Sequence, residues 1–412
     1  MRPSLKKNHM KLSIIAAVSL FATAMPSLLM AQQSNDVQAA KFLLGPLGFT
    51  PRLALKDFGV DTNPLNASAN PERDVTATLV SGVDSWLRLG RGTVFSKSYS
   101  EYMYFNNSPT QRSVNANQQL RAEVSLNRVT PYVTGAYLRT RQRPNLEIDT
   151  RVQQNTNSLG VGTGLRIGGR LKFDLEGRRT STAFGNGRYG DLAIAQALDR
   201  RSDVYAVSTK VMLTPLTSFV VRAERLRDRF EASRQRDSDS ISLLPGFEIK
   251  PSALVSGKLF LGYQRFNAVD ARVPDYGGIV AEVDAHYMWR ESTRIAFKAN
   301  RNVQYSIEQE QPYFVGTGGS VEVTHILGNE WFAVSRVGRT RLAYRNLFSA
   351  DASTVRAAQR SDYIGMYGVG FGRLLGDDVR VGFDVNHVNR TSMLRTHQYD
   401  GFRYGLTISY GS

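Results

Sequence analysis

The chain of 412 residues contains no cysteine. Thiol catalysis, disulfide staples and thiolate metal sites are therefore excluded, and stability must come from packing and backbone hydrogen bonds. Histidine is scarce, with His9, His286, His325, His387 and His397 as the whole set. These show no metal-ligand spacing, and the sequence has neither an HExxH helix nor a nucleophile elbow. No catalytic residue, no metal and no other cofactor is expected. After residue 30 no apolar run approaches the roughly eighteen residues that a membrane helix requires. Pro/Ser-rich linkers are also missing, which favours one repetitive unit over several domains.

The first thirty residues do carry an apolar run. Arg2, Lys6, Lys7 and Lys11 precede Leu12 to Met30, and Ala31-Gln32-Gln33 follows. This is the layout of a secretory signal peptide, with cleavage expected after Ala31. The expected organisation is thus 1–31 as signal and 32–412 as a single exported domain. Removing the signal's basic residues lowers the formal net charge from +16 to +12. Such an excess suits anionic partners, among them lipopolysaccharide phosphates and acidic polysaccharide.

Residues 281–290, AEVDAHYMWR, show the pattern that recurs along the rest of the chain. Ala281, Val283, Ala285, Tyr287 and Trp289 alternate with Glu282, Asp284, His286, Met288 and Arg290, so an extended strand has one apolar and one mostly charged face. The same period appears in Leu171, Phe173 and Leu175 against Lys172, Asp174, Glu176 and Arg178. It returns in Val379, Val381, Phe383 and Val385 against Arg380 and Asp384, and in Ile295, Phe297 and Ala299 against Arg294 and Lys298. Only a strand fits this spacing.

Short punctuations separate these runs: Gly90-Arg91-Gly92, Thr130-Pro131, Gly168-Gly169-Arg170, Thr214 to Thr217, Lys250-Pro251-Ser252, Glu291-Ser292, Gly328-Asn329-Glu330 and Gly376-Asp377-Asp378. Longer polar connections lie between them, so short and long ends alternate. Eight short turns and nine long loops imply about eighteen strands (16–18), the layout of an antiparallel up-and-down transmembrane β-barrel with tight periplasmic turns and longer external loops. Two of the loops, Asp191 to Arg200 and Ala350 to Arg360, have room for a helical turn or a short helix.

The C-terminal strand supplies a separate signal. Phe402, Tyr404, Leu406, Ile408 and Tyr410 are apolar at every second place, a pattern that resembles the one read by the barrel-insertion machinery of outer membranes. Alternation alone does not say whether the apolar face meets lipid or a second sheet. The secretory signal, the C-terminal strand and the aromatics near strand ends (Tyr287, Trp289, Trp331, Phe332, Tyr363) favour lipid. Closing the sheet pairs every backbone polar group in hydrocarbon. At this strand number side chains alone do not fill the interior, so a water-filled or loop-plugged lumen is expected.

The stretches NLEIDTRVQQNTNSLGVGTGLRI (145–167), LTPLTSFVVRAERLRDRFEAS (213–233), LGYQRFNAVD (261–270) and SIEQEQPYFVGTG (306–318) resemble the outer-membrane β-barrel porins of acidobacteria and other Gram-negative lineages. The resemblance covers roughly residues 40 to 412 and brings no catalytic motif. It implies a passive conduit, and similar barrels accompany exopolysaccharide assembly and export genes. Polysaccharide export components then join outer-membrane lipid, lipopolysaccharide and the insertion machinery as expected partners. Nucleic acid is not expected among them.

The expected lumen lining is Lys172, Asp174, Glu176, Arg178, Arg222, Glu224, Glu282, Asp284, His286, Arg290, Arg294, Lys298, Arg380 and Asp384, whose mixed signs would set a transverse field across a pore. Gly160, Gly162 and Gly164 share one face of their strand and leave either a hollow or room for sheet curvature. The aromatic run Tyr99, Tyr102, Tyr104 and Phe105 suits packing or sugar stacking. Arg225, Arg227 and Arg229 continue the outward phase of Phe219, Val221 and Ala223, which places three guanidinium groups where lipid A phosphates would lie. Two other classes remain open at the level of sequence: an outer-membrane barrel hydrolase, and a soluble exported polysaccharide-binding β protein.

Overall fold

The computed structural model describes residues 40–251, 253–328, 330–348, 360–376 and 378–411. The expected signal peptide and nearly all of the segment 350–360, one of the two with room for a helical turn, lie outside the described residues. So do single positions in three of the expected short turns, Ser252, Asn329 and Asp377.

Eighteen long strands follow one another around a barrel. They are β1 (Leu47–Asp61), β2 (Asp74–Leu89), β3 (Gly92–Phe105), β4 (Ser113–Val124), β5 (Val129–Gln142) and β6 (Val152–Ile167). Next come β7 (Leu171–Phe184), β8 (Arg200–Met212), β9 (Thr217–Phe230), β10 (Ser238–Ile249), β11 (Val255–Ala268) and β12 (Tyr276–Trp289). The last six are β13 (Thr293–Tyr305), β14 (Tyr313–Leu327), β15 (Trp331–Arg345), β16 (Ser361–Leu375), β17 (Val379–Thr391) and β18 (Tyr399–Tyr410). Each strand pairs antiparallel with its neighbours in sequence, and β1 pairs with β18 through Leu53 and Tyr410, so the sheet closes. A bulge at Asp57, whose φ is 52°, shifts the register of β1 against both partners.

The alternation read in the sequence is the alternation of faces. Leu159, Leu261 and Ile279 are 68%, 62% and 57% exposed on the outside. Apolar side chains repeated around the whole circumference at such exposure need a hydrocarbon solvent, because water-soluble surfaces rarely carry contiguous apolar patches of this extent. Among the described residues no helix is long and apolar enough to cross a membrane. The short helix Ile194–Leu198 falls inside Asp191 to Arg200, the other loop with room for one.

The short turns carry their own logic. Gly90 and Gly168 adopt φ of 61° and 63°, which glycine tolerates without a Cβ clash. Arg290 and Glu291 reach 49° and 58° in the turn between β12 and β13. One expected turn is corrected: Thr130 and Pro131 lie inside β5, and the chain reverses earlier, at Ser125 to Arg128, with Asn127 at φ 50°. Proline is accommodated there because it stands at the start of the strand, before the ladder to β4 begins at Tyr132.

Candidate functional site

The inner face of β7 carries Lys172, Asp174, Glu176 and Arg178. Tyr132 donates its hydroxyl to Asp174 at 2.7 Å, and the Arg121 guanidinium stacks over the Tyr132 ring at 3.6 Å. Arg121 also pairs with Glu123 at 2.9 Å, and Arg178 approaches Glu176 at 3.6 Å. The glycines of β6 make this packing possible. A methyl group at Gly162 would stand 2.5 Å from the Leu175 carbonyl oxygen and inside the Tyr132 ring.

On the neighbouring arc, Arg222 of β9 reaches Glu282 of β12 at 2.9 Å and Glu224 at 3.9 Å. It reaches across β10 and β11 over an inner apolar patch of Val220, Leu244, Phe260 and Val280. Asp284 accepts from His286 at 3.2 Å, Arg294 meets His286 Nδ1 at 3.1 Å, and Lys298 stands opposite Asp284 across the strand pair. Farther round, Arg336 joins Glu322 at 2.8 Å to Asp384 at 2.7 Å. Arg380 lines the cavity beside this pair.

Two placements differ from expectation. Arg290 belongs to a turn rather than to the lumen lining, and its guanidinium lies 5.0 Å from the Trp289 ring centre. Phe332 cannot share the outward face of Trp331, its neighbour on one strand, and its ring covers Gly372 and Gly382 on the inner wall. The aromatic run of β3 divides in the same way. Tyr99 donates to Asp84 at 2.6 Å and Phe105 is buried beneath Arg151, whereas Tyr102 is exposed outside. The C-terminal apolar set from Phe402 to Ile408 lies on the outer face, and Arg225 and Arg227 are exposed there at the long-loop end of β9.

A loop-plugged lumen is one of the two expectations stated above; the loop that crosses it, not singled out from the sequence, is 143–151, which joins β5 to β6 and reaches the far wall. Asn145 donates to the Tyr305 carbonyl at 3.0 Å. The Glu147 carboxylate accepts from Ser306 Oγ at 2.7 Å and Ile307 N at 2.9 Å. Arg390 of β17 donates to the Glu147 carbonyl at 2.8 Å and to Asp149 at 3.0 Å, while its other end holds Asp362 at 2.7 Å. Apolar contacts follow the same path. Ile148 packs with Ile194, Leu198 and Ile307, and Leu146 packs against Leu342, Tyr344 and Ile364. Arg236 braces the receiving loop through the carbonyls of Ser306, Ile307 and Glu308. A signal was available in the sequence, because a solvated loop has little reason to alternate Leu146 and Ile148 with Glu147 and Asp149.

Burial sets the electrostatics of this plug. It pushes the Glu147 carboxyl up to about 7 against the hydrogen bonds from Ser306 and Ile307, and raises Asp149 as well. His397, buried beside Arg360 and Arg390, is pushed down to about 4. Beneath the loop a cavity of about 380 Å³ runs from Asn66 and Arg143 to Arg380 and Ser409 near the short turns. Its wall carries both signs of charge, with Lys56, Arg336 and Arg403 facing Glu101, Glu322 and Asp384.

Solved outer-membrane proteins show a distant similarity to this chain. A BenF-like porin from Pseudomonas fluorescens Pf-5 aligns at 10% identity over 90% of this chain and 99% of its own, with a TM-score of 0.47. OccK3 (OpdO) of Pseudomonas aeruginosa aligns at 10% identity over 88% of this chain and 95% of its own, with a TM-score of 0.46. No curated protein matches the sequence. The family described as "Putative beta-barrel porin 2" matches residues 45–410, from the first barrel strand to the last. The chain belongs to this family, and it is a porin-like β-barrel channel of the outer membrane.

Proposed function

We propose that the channel passes small polar solutes passively, through the space left between the docked loop 143–151 and the wall formed by β14 to β18 and β1 to β3. The observation that carries this reading is the cavity of about 380 Å³, which lies within the range of small-molecule sites and has charges of both signs along its length. Such a lining replaces part of a solute's hydration without favouring tight capture. Transport runs downhill and no bond is made or broken.

The chain reaches the membrane through a secretory signal, and the C-terminal strand from Phe402 to Tyr410 presents its outward row to the insertion machinery. The lumen charges set selectivity, with Glu322, Arg336, Arg380 and Asp384 along this wall as the principal contributors. The experiment is conductance of the purified, refolded protein in planar bilayers, together with swelling of proteoliposomes in unrelated small sugars. Steady ion conductance and sugar uptake are expected, and a silent bilayer with no swelling counts against the reading.

A second reading is favoured by the firmness of the plug. The loop is held by Glu147 and Arg390 at opposite faces of its backbone, so a polymer would pass only after displacement of the loop. On that reading the barrel is the outer-membrane conduit of an exopolysaccharide system in a Gram-negative envelope, with export components as partners. Deletion then removes surface polymer, and the isolated barrel stays quiet.

A further inference from the structure

The outer surface over β7 to β11 combines two features that a lipid with an anionic headgroup requires. The strand register arranges outward residues in rows across these strands. One row reads Leu175, Val207, Ala223, Leu243 and Tyr263, and the next toward the long loops reads Gly177, Tyr205, Arg225, Ile241 and Arg265. Above these stand Arg179, Asp203, Arg227 and Asp239, then Arg201 and Arg229.

The lower rows form a shallow groove of about 670 Å³. Gly177 and Ala223 keep its floor low, and Val161, Leu175, Val207 and Ile241 supply apolar walls. Arg225 lies at its upper end. Over the upper rows six arginines face two aspartates. Asp203 is taken by Arg179 at 2.6 Å, and Asp239 is shared by Arg227 at 3.2 Å and Arg229 at 3.1 Å. The side chains of Arg201 and Arg225 make no hydrogen bond and no ion pair among the described residues.

The depth agrees with a headgroup. Counting from Thr217 at the short-turn end of β9, Arg225 and Arg227 stand where a tilted strand of about 9–11 residues leaves the hydrocarbon. Excess guanidinium charge at that level, directly over an apolar groove, matches a molecule with phosphate at one end and acyl chain at the other. Guanidinium forks bind phosphate oxygens in pairs, and the outer leaflet at the long-loop rim is the lipopolysaccharide leaflet.

We infer that this surface is a specific site for one lipid A headgroup and one of its acyl chains, with Arg201 and Arg225 as phosphate ligands and the Gly177 and Ala223 groove as the acyl seat. The inference rests on the outer-membrane orientation with long loops outside, and it is independent of what the lumen carries.

The test is native mass spectrometry of protein extracted in mild detergent from a lipopolysaccharide-producing outer membrane, as wild type, as Arg201→Ala with Arg225→Ala, and as Ala223→Trp. The double variant breaks no ion pair, and tryptophan is at home on a lipid-facing surface near the interface. Heat-modifiable migration confirms that each variant is folded, and bilayer conductance is measured on the same samples.

Wild type is expected to retain a lipid A species, and each variant to lose it by about tenfold or more, since a hydrogen bond to a charged group contributes roughly 1.5–3 kcal/mol. Conductance is expected to stay unchanged. Wild type without lipid A, wild type with phospholipid alone, or unchanged retention in either folded variant would overturn the site. Lipid retention without conductance would count against the channel reading alone.

Discussion

Glu147 makes the plug sensitive to pH, and the size of the effect can be worked from its surroundings. Its carboxyl is fully buried between loop 143–151 and the loop after β13, and its pKa rises from an ordinary 4.5 to about 7. A raised carboxyl pKa means that docking favours the neutral acid. Stability of the docked loop is therefore fully present below about pH 4.5, declines as pH rises toward 7, and levels off above that. Each pH unit across this window is worth about 1.4 kcal/mol, so the docked state loses roughly 3 kcal/mol, on the order of a hundredfold in its equilibrium. Asp149 is shifted upward too and acts with the same sign, although Arg390 opposes it. His397, held near 4, stays neutral through the window, while Arg360 and Arg390 stay charged. Single-channel recording from pH 5 to pH 8 should show a second, larger conductance level, that of the undocked loop, whose occupancy rises with pH in the wild type. Glu147→Gln keeps the volume and removes the titration, so its dependence should be much shallower. A wild type that is flat over this range, or a Glu147→Gln variant as steep as the wild type, would refute the reasoning.

Other perturbations reach the same structure from different sides. Arg390→Ala takes from Asp149 its ion-pair partner and leaves Asp362 to Arg360 and Ser392; a destabilisation of about 3 kcal/mol is expected from denaturant unfolding, with faster proteolysis within 143–151. Gly162→Val drives a side chain into the Tyr132 ring and the Leu175 carbonyl, so unfolding in lipid vesicles should show a loss of about 1–3 kcal/mol from overpacking. Arg380→Glu reverses a charge in the cavity wall, and the reversal potential under a salt gradient should move toward cation preference. Ile148→Ala removes a fully buried anchor of the plug, and conductance noise should rise as the loop loosens at a cost of about 2–4 kcal/mol.

Much of this architecture was legible in the chain because a barrel strand has only two environments. Residues 281–290 state both of them, and the same alternation in Phe402 to Tyr410 marks the strand that closes the sheet onto β1. Turn chemistry was legible where glycine punctuated it and misleading at Thr130-Pro131, because proline can open a strand as readily as it can end a hairpin. Phe332 shows the limit of reading aromatics by type: its neighbour Trp331 already holds the outward position, and parity sends the next ring inside. A plugged lumen was one of two expectations, and the alternation at 146–149 hinted at a buried loop, but the partners of that loop were not legible. Its contacts join Glu147 to Ser306 and Asp149 to Arg390, pairs far apart in sequence that meet only because nearly opposite strands face one lumen. No local period encodes such a meeting.

The absence of cysteine makes the decisive measurement simple, since single cysteines can be introduced along β12 and spin-labelled without competing thiols. Labels at positions 279, 281, 283 and 285 should collide with oxygen dissolved in lipid, and labels at 282, 284 and 286 with a water-soluble nickel complex. Equal accessibility of the two sets, or nickel contact at the odd positions, would contradict a barrel whose apolar face lies in hydrocarbon and whose charged face lies in water.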